Sequence, residues 1–446
     1  MYLYKMNEIL AVGAIDGRYS RLTKSLKNYF SEHALFKYRL FVECEYFIKL
    51  CRTINITIDE DTVRNLYSEF TPHESLLIKA IEENIKHDVK SVELFMNSRL
   101  TRANIGNCNL IHFALTSQDI NNVSVSLSIK DYLNNMLFSK ITDLLGILSS
   151  KSNEWRDCVM IGRTHGQPAV PTTMGKEFRV FHYRLTKELD TLKRTPVCSK
   201  FGGAVGNFNA HYLAYPDINW TGFGNEFLEE MGLQRNQHTT QIDNYESLAV
   251  IFDNIKRINT ILVDLCRDVW TYISNDYLKQ QINPDEVGSS TMPQKVNPIN
   301  FENAEGNLLL SISMLEFLSR KLPVSRLQRD LTDSTVLRNL GTVFGWCEIA
   351  YHNIAVGLEK INVNREKLRA DNENNLAVLT EGYQTLLRKW GDNDAYKKLK
   401  DFSRTGTAIS QETISEFIAG LEVTEKQKQE MLNITVENYI GNSKEF

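Results

Sequence analysis

Apolar positions between residues 248 and 272 recur at spacings of three and four. They are Leu248, Ile251, Ile255, Ile258, Leu262, Leu265, Val269 and Tyr272. This spacing is close to the repeat of about 3.5 residues that is typical of helices packed in bundles. Because the pattern outlasts an average helix of about 11 or 12 residues, it predicts a long core helix whose apolar stripe is covered by neighbouring helices.

The distribution of glycine and proline also favours long helices. The 23 glycines and 9 prolines leave residues 18–71, 107–145 and 233–283 without either residue type. Both residues are unfavourable inside a helix, so their absence predicts uninterrupted helices. Glycine and proline gather instead in three segments that we expect to be loops between helices, namely 162–175, 200–216 and 284–298.

These patterns predict an all-α protein with three helical domains. We expect an N-terminal helical domain over 1–105, a central long-helix bundle over 106–360 and a C-terminal helical domain over 361–446. The length of 446 residues suits several domains, since one domain commonly holds about 100 to 200 residues. We expect the central bundle to form the core of an oligomer, because other subunits often cover such long apolar helices.

Composition and charge narrow the class of protein. With 42% hydrophobic and 24% charged residues, the chain is typical of soluble globular proteins. Its net charge of -4 gives no global attraction to nucleic acid or to an anionic membrane, so we expect neither as a partner. No apolar run approaches the roughly 18 residues of a membrane span, and the first residues do not resemble an export signal. A cytoplasmic location is therefore expected.

The cysteines and histidines indicate neither a disulfide framework nor a metal site. The seven cysteines are scattered and include no C-x-x-C pair, which favours a reducing compartment. The nine histidines show no H-E-x-x-H or comparable ligand spacing. We expect no bound metal.

Small hydroxyl residues surround a lysine and an asparagine in the segment GSSTMPQKVNP, residues 288–298. Such a loop can direct several donors at one anion. Its composition alone also fits an ordinary connection between helices, in which serine and asparagine cap the helix ends.

A second segment, RTHGQPAVP at residues 163–171, places His165 in a stretch rich in glycine and proline. Histidine is the side chain best suited to exchange protons near neutral pH. A single histidine is nevertheless more often structural, so the segment by itself leaves its role open.

Both segments, together with others in the same order, resemble the adenylosuccinate lyase branch of the fumarase/aspartase superfamily. The further matching strings are DGRY (16–19), HDV (87–89), TSQDINN (116–122), GAVGN (203–207), LPVSR (322–326) and QRDLTDSTVLR (328–338). The resemblance covers nearly the whole chain. It implies a homotetramer in which subunits share active sites, and a cofactor-free β-elimination that releases fumarate from a succinyl-purine nucleotide.

The resemblance also implies roles for individual residues. Ser289 is the expected base and His165 the expected acid, while the substrate is a small molecule held by a larger set of side chains. This substrate-binding set is Arg18, Tyr19, His87, Asp88, Val89, Thr116, Ser117, Gln241, Ser290, Lys295, Val296, Asn297, Asn303, Arg329, Ser334, Thr335, Val336, Leu337 and Arg338. The choice between Ser289 and the adjacent Ser290 depends on the resemblance alone.

The segment 328–338 favours a phosphate-bearing substrate over the substrates of sister enzymes. Arg329, Ser334 and Arg338 offer two guanidiniums and a hydroxyl, which are the groups that bind a phosphate monoester. In the alternative interpretation these arginines pair with Asp330 and Asp333 on a helix surface. Argininosuccinate lyase, whose substrate has no phosphate, and a non-catalytic helical scaffold are the alternative functions.

Overall fold

The structure of the chain is a computed structural model that describes residues 6–281, 292 and 294–446. Most of the predicted loop 284–298, with Ser289 and Ser290, lies outside the described residues.

Helices dominate the described residues. In the first half of the chain they are α1 Met6–Ile9, α2 Ser20–Thr23, α3 Lys27–Phe30, α4 Glu32–Thr53, α5 Glu60–Ser68, α6 Pro72–Ile85, α7 Asp88–Arg102, α8 Ser117–Tyr132, α9 Phe138–Glu154, α10 Met174–Arg194, α11 Asn209–Ala214 and α12 Trp220–Glu230. In the second half they are α13 Glu246–Ser274, α14 Ile299–Lys321, α15 Thr332–Leu337, α16 Leu340–Glu359, α17 Arg365–Asn374, α18 Thr380–Lys389, α19 Ala395–Ser403, α20 Gln411–Ala419 and α21 Glu425–Leu432. A π-helical segment, Leu133–Leu137, joins α8 to α9.

The strands of the described part are short and pair in twos. They are β1 Val159–Thr164, β2 Gln167–Thr173, β3 Cys198–Ser199, β4 Gln234–Arg235, β5 Leu278–Gln280 and β6 Ile361–Val363. β1 pairs with β2 and β5 with β6 in antiparallel fashion, and β3 pairs with β4 in parallel. The predicted all-α class is confirmed, since these small sheets only connect helices.

The chain forms two compact units. Unit 1 comprises Met1–Thr142, Lys187–Val263 and Ala304–His352, and unit 2 comprises Asp143–Thr186, Asp264–Asn303 and Asn353–Phe446. The three domains expected from the sequence remain a prediction.

The core of unit 1 is centred on α4, which packs against α5, α7 and α8. Ser31 caps the start of α4 by accepting a hydrogen bond from the Ala34 amide. Phe36, Leu40 and Phe47 are buried along this helix. Burial of large side chains on one helix face holds α7 and α8 in place, and both of these helices begin at predicted substrate-binding residues.

The core of unit 2 lies among the helices near the C-terminus. Leu379, Tyr383, Leu399 and Ile414 are buried in one apolar cluster that also includes Ile161 of β1. This packing anchors the β1–β2 hairpin. The prediction of a loop over 162–175 was wrong, because the backbone there pairs with itself and its prolines occupy the strand.

The long helix predicted over 248–272 is α13, and this prediction is confirmed. The residues at the repeat positions from Leu248 to Val269 are buried within the single chain. The stripe is therefore not the surface that another subunit would cover. Other apolar side chains stay exposed on the long helices, namely Tyr183, Val250, Trp270, Leu309, Leu310 and Phe317.

Candidate active site

The N-terminus of α8 is fixed to a glycine-rich loop through Asp119. Thr116 is the N-cap, and its backbone amide donates to Asp119 Oδ2 at 2.9 Å. The other oxygen, Oδ1, accepts from Lys200 Nζ at 2.7 Å and from the Gly202 amide at 2.8 Å. Burial would raise the pKa of Asp119, but the Lys200 ammonium and these N–H donors hold it below its ordinary value. Thr116 and Ser117 are thus held in one place.

His87 is the N-cap of α7, and its side chain is exposed. Its Nδ1 accepts a hydrogen bond from the Lys90 amide at 3.1 Å. A neutral imidazole that accepts at Nδ1 carries its proton on Nε2, so His87 offers one N–H donor to a ligand. The two residues that follow, Asp88 and Val89, form the first turn of the same helix.

His87 lies in a cavity of about 300 Å³ together with other predicted residues. The lining comprises His87, Val89, Lys90, Glu93, His112, Leu115, Thr116 and Ser117. The structure therefore brings the segments 87–89 and 116–117 together.

The sequence interpretation did not assign His112 to the site, although this residue lines the same cavity. His112 Nδ1 lies 2.6 Å from Glu43 Oε1, and the Glu43 side chain is fully buried. Burial alone would lower the pKa of His112, but the Glu43 carboxylate raises it above its ordinary value. The only sequence signal was its position four residues before Thr116, and no spacing pointed to Glu43.

Arg329 is held between two predicted substrate-binding residues. Its Nη1 donates to Gln241 Oε1 at 3.3 Å and its Nη2 to Ser334 Oγ at 3.4 Å. Within the part of the chain that the structure describes, no carboxylate forms an ion pair with Arg329, and the nearby Asp330 pairs with Arg326 at 3.6 Å. A guanidinium held by neutral acceptors can still pair with an anionic ligand.

Arg338 follows α15 directly and forms a different kind of contact. Its Nη2 lies 3.0 Å from Asp88 Oδ2, an oxygen that is also 2.6 Å from Arg39 Nη2. Burial would raise the pKa of Asp88, but the two arginines, Arg39 foremost, hold it below its ordinary value. The predicted alternative of pairing with Asp330 or Asp333 is thus replaced by a pair with Asp88.

Ser334 and Arg338 line a second cavity of unit 1, of about 130 Å³, together with Asp88 and Arg39. Thr335, Val336 and Leu337 complete the turn of α15 between Ser334 and Arg338.

Arg18 and Tyr19 precede α2, and the Arg18 guanidinium lies 5.8 Å from the centre of the Tyr19 ring.

In unit 2, His165 lies at the tip of the β1–β2 hairpin. Thr164 pairs with Gln167, so His165 and Gly166 alone form the turn. Both residues have positive φ, +54° and +74°, as a type I′ turn requires. The turn leaves the imidazole exposed at the end of the paired strands.

An ion pair anchors this hairpin close to its turn. Arg163 Nη2 lies 2.9 Å from Asp371 Oδ2 of α17, and the Tyr277 hydroxyl donates to the same carboxylate. Burial and the Asp371 carboxylate raise the pKa of Tyr277, which keeps its hydroxyl protonated as a donor. This contact fixes the strand that leads to His165.

The remaining predicted residues of unit 2 lie around the start of α14. Lys295 is exposed, Asn297 is half-buried, and the Val296 carbonyl accepts from Gln280 Nε2 at 3.0 Å. Asn303 lies within α14 and is half-buried. Ser289 and Ser290, as stated above, lie outside the described residues.

Comparison with known proteins identifies the family. A family model described as "Lyase" matches residues 17–310, and one described as "Adenylosuccinate lyase C-terminal" matches residues 325–440. Adenylosuccinate lyase from Dictyostelium discoideum is 43% identical over 98% of this chain and 97% of its own length. The chain belongs to the adenylosuccinate lyase family. The enzyme of that name from Escherichia coli K12 is 41% identical over 98% of each chain.

Membership of the adenylosuccinate lyase family makes the protein a carbon-nitrogen lyase. Solved structures agree on the fold. Fumarate lyase from Mesorhizobium sp. BNC1 superposes with a TM-score of 0.75 at 16% identity, covering 94% of this chain and 96% of that one. The 3-carboxy-cis,cis-muconate lactonizing enzyme from Pseudomonas putida gives a TM-score of 0.75 at 18% identity, covering 94% of each chain.

None of the helices in the described residues has the length and apolar character that crossing a membrane requires.

Proposed function

We propose that this enzyme cleaves adenylosuccinate to AMP and fumarate, and SAICAR to AICAR and fumarate, in purine nucleotide biosynthesis. The observation that carries the proposal is the arrangement around Arg329. Its guanidinium is held by Gln241 and Ser334, and no carboxylate of the described residues neutralises it. Such a group suits the phosphate of a nucleotide, which argininosuccinate lacks.

In the proposed β-elimination, Ser289 takes a proton from the succinyl carbon beside a carboxylate. The electron pair of that C–H bond forms the double bond of fumarate as the C–N bond breaks. His165 gives its proton to the departing nitrogen, which completes the nucleotide product. A serine hydroxyl is a weak base in water, so the step needs a nearby cation, for which Lys295 is our candidate, and exclusion of water.

The other predicted residues would bind and orient the substrate. Lys295 and Asn297, with Val296 between them, are the proposed site of the succinyl carboxylate, and the Lys295 and Asn297 side chains are proposed to hold it. The negative charge of this carboxylate grows during proton removal, which is where stabilisation accelerates the reaction. His87, through the N–H on Nε2, is proposed to polarise the substrate, with Asp88 and Val89 fixing its helix turn.

We assign the phosphate and ribose to the residues that contribute positive charge and hydroxyl groups. This group comprises Arg18, Tyr19, Arg329, Ser334 and Arg338, and Thr335, Val336 and Leu337 form the helical turn between the last two. Carboxylate and base recognition is completed by Thr116, Ser117, Gln241, Ser290 and Asn303. A phosphate would compete with Asp88 for Arg338, and Arg39 would then continue to neutralise Asp88.

We further propose a homotetramer with active sites shared between subunits, acting in the cytosol. The buried stripe of α13 does not support assembly, but the exposed Trp270, Leu310 and Phe317 do, because apolar surface on long helices is stabilised by burial. All seven cysteines lie in the described residues and none forms a disulfide, which suits a reducing compartment.

An absorbance assay tests the proposed reaction. Purified enzyme is mixed with adenylosuccinate or argininosuccinate, and fumarate release is followed for wild type and for His165→Ala, Ser289→Ala and Arg338→Ala. We expect wild type to turn over adenylosuccinate. The His165→Ala and Ser289→Ala variants should lose this turnover while they still bind the nucleotide. Arg338→Ala should raise KM more than it lowers kcat.

The alternatives have distinct outcomes in the same assay. Cleavage of argininosuccinate alone would show that the assignment of a phosphate site is wrong. Inactivity on both substrates would favour the non-catalytic helical scaffold.

A further inference from the structure

The hydroxyl of Tyr245 connects two segments that carry proposed substrate-binding residues. It accepts a hydrogen bond from Asn122 Nδ2 of α8 at 2.7 Å and donates one to Asp333 Oδ2 of α15 at 2.8 Å. All three side chains are at least 97% buried. Burial and the Asp333 carboxylate raise the pKa of Tyr245 well above its ordinary value, so the hydroxyl remains a donor.

Asp333 links the Tyr245 hydroxyl to the proposed phosphate site. Its second oxygen, Oδ1, accepts from the Ser334 backbone amide at 2.7 Å. The carboxylate therefore sets the orientation of the first turn of α15, from which the Ser334 side chain extends. Ser334 Oγ in turn accepts from Arg329 Nη2 at 3.4 Å.

The backbone of Tyr245 is held by the same network. Its amide donates to Asp243 Oδ2 at 3.0 Å, and the Asp243 amide donates to Asn122 Oδ1 at 2.9 Å. Tyr245 has φ +63°, a left-handed conformation that is strained for an aromatic residue and persists only where surrounding contacts fix it. Four residues earlier, Gln241 contacts Arg329.

We infer that Tyr245 is a positioning residue that sets the affinity of this enzyme for the phosphate of its substrate. Its hydroxyl acts through Asp333 on Ser334, while its backbone fixes the segment that carries Gln241. Ser334 and Gln241 both hold the Arg329 guanidinium. The inference rests on the proposed function, because it assumes a phosphorylated substrate at Arg329.

The test compares Tyr245→Phe with wild type on two substrates. Adenylosuccinate carries the phosphate, and succinyladenosine is the same molecule without it. We expect KM for adenylosuccinate to rise about tenfold with kcat nearly unchanged, since one hydrogen bond to a charged group is lost. The kcat/KM for succinyladenosine, measured far below saturation, should stay at the wild-type value.

Tyr132→Phe is the matched control. The Tyr132 hydroxyl donates to the buried Glu348 side chain at 3.0 Å in the same unit, so this variant loses a buried bond from a tyrosine to a carboxyl group that does not belong to the Tyr245–Asp333 network. It should leave both substrates unaffected. If Tyr245→Phe fails to fold, Asp333→Asn, which weakens the same connection, replaces it and should give the same phosphate-dependent loss.

Four outcomes are decisive. An equal loss on both substrates, or no loss on either, would overturn the positioning role while leaving the proposed function intact. Inactivity of wild type on adenylosuccinate would overturn the proposed function and, with it, this inference. Equal wild-type kcat/KM for the two substrates would show that the enzyme does not use a phosphate contact.

Discussion

Lys200 Nζ lies 2.7 Å from Asp119 Oδ1, and both side chains are completely buried. The Lys200 ammonium also donates to the Gly203 carbonyl at 2.6 Å. Burial lowers the pKa of Lys200, and the Asp119 carboxylate partly offsets this effect. The pair joins the start of α8 to the loop before α11, so the proposed carboxylate site depends on it.

We expect Lys200→Met to destabilise the protein by about 3 to 5 kcal/mol, because Asp119 would remain buried without its cation. Chemical denaturation measures the loss. The control is Lys86→Met, which removes an exposed pair with Glu83 at 3.1 Å and should cost less than about 1 kcal/mol. Equal losses in the two variants would show that burial of the Lys200 pair has no special effect.

The His112–Glu43 pair predicts a pH dependence of stability. The folded protein raises the pKa of His112 above its ordinary value of 6.5. The stabilisation from the pair is therefore complete below the unfolded pKa and is lost as the pH rises through the folded one. His112→Gln should lower the thermal midpoint at about pH 6 more than at about pH 9.

His73→Gln is the control for this prediction, since His73 is exposed. Its effect on the midpoint should be small, because substitutions of exposed side chains usually change stability little. A loss in His112→Gln that is the same at both pH values would mean that the charge on His112 contributes nothing.

The anchor of the β1–β2 hairpin predicts an effect on catalysis. Asp371→Asn weakens the ion pair with Arg163 and should displace His165, the proposed acid, from its working position. We expect kcat to fall about tenfold with KM little changed, because misplacement of a catalytic group slows the chemical step. Steady-state kinetics on adenylosuccinate provides the measurement.

Asp157→Asn serves as the comparison for Asp371→Asn, because it removes an ion pair of the same unit, with Lys444 at 2.8 Å. It should retain wild-type kcat, and Asp371→Glu should recover part of the lost rate. A wild-type kcat in Asp371→Asn would contradict a role of this anchor in placing His165.

If the protein is a tetramer, a charge introduced at an exposed apolar position of α14 should weaken its assembly. Leu310 is 50% exposed in the single chain, so Leu310→Arg should retain the fold but weaken assembly. Sedimentation should show smaller species together with reduced activity. Leu213→Arg, at a position on α11 that is 86% exposed, should remain tetrameric. If the wild-type protein is monomeric and fully active when diluted, the proposed tetramer with shared active sites is wrong.

Local sequence patterns were sufficient to predict the long helix α13, but they were not sufficient to predict the β1–β2 hairpin. The apolar repeat of 248–272 depends on neighbouring residues, so it predicted α13 correctly. The segment 162–175 has the glycine and proline content of a loop, and its His-Gly turn lacks the usual Asn-Gly signal. Pairing of β1 with β2 was therefore not predicted.

The sequence by itself determined the family, the helical class and the set of residues available for chemistry. Strings such as RTHGQPAVP and the spacing of apolar residues are local, so they can be recognised without coordinates. The tertiary structure decided which of those residues meet. The pairs His112–Glu43, Arg338–Asp88 and Tyr245–Asp333 join segments far apart in the chain. Contacts of this kind arise from packing between helices, which no local pattern encodes.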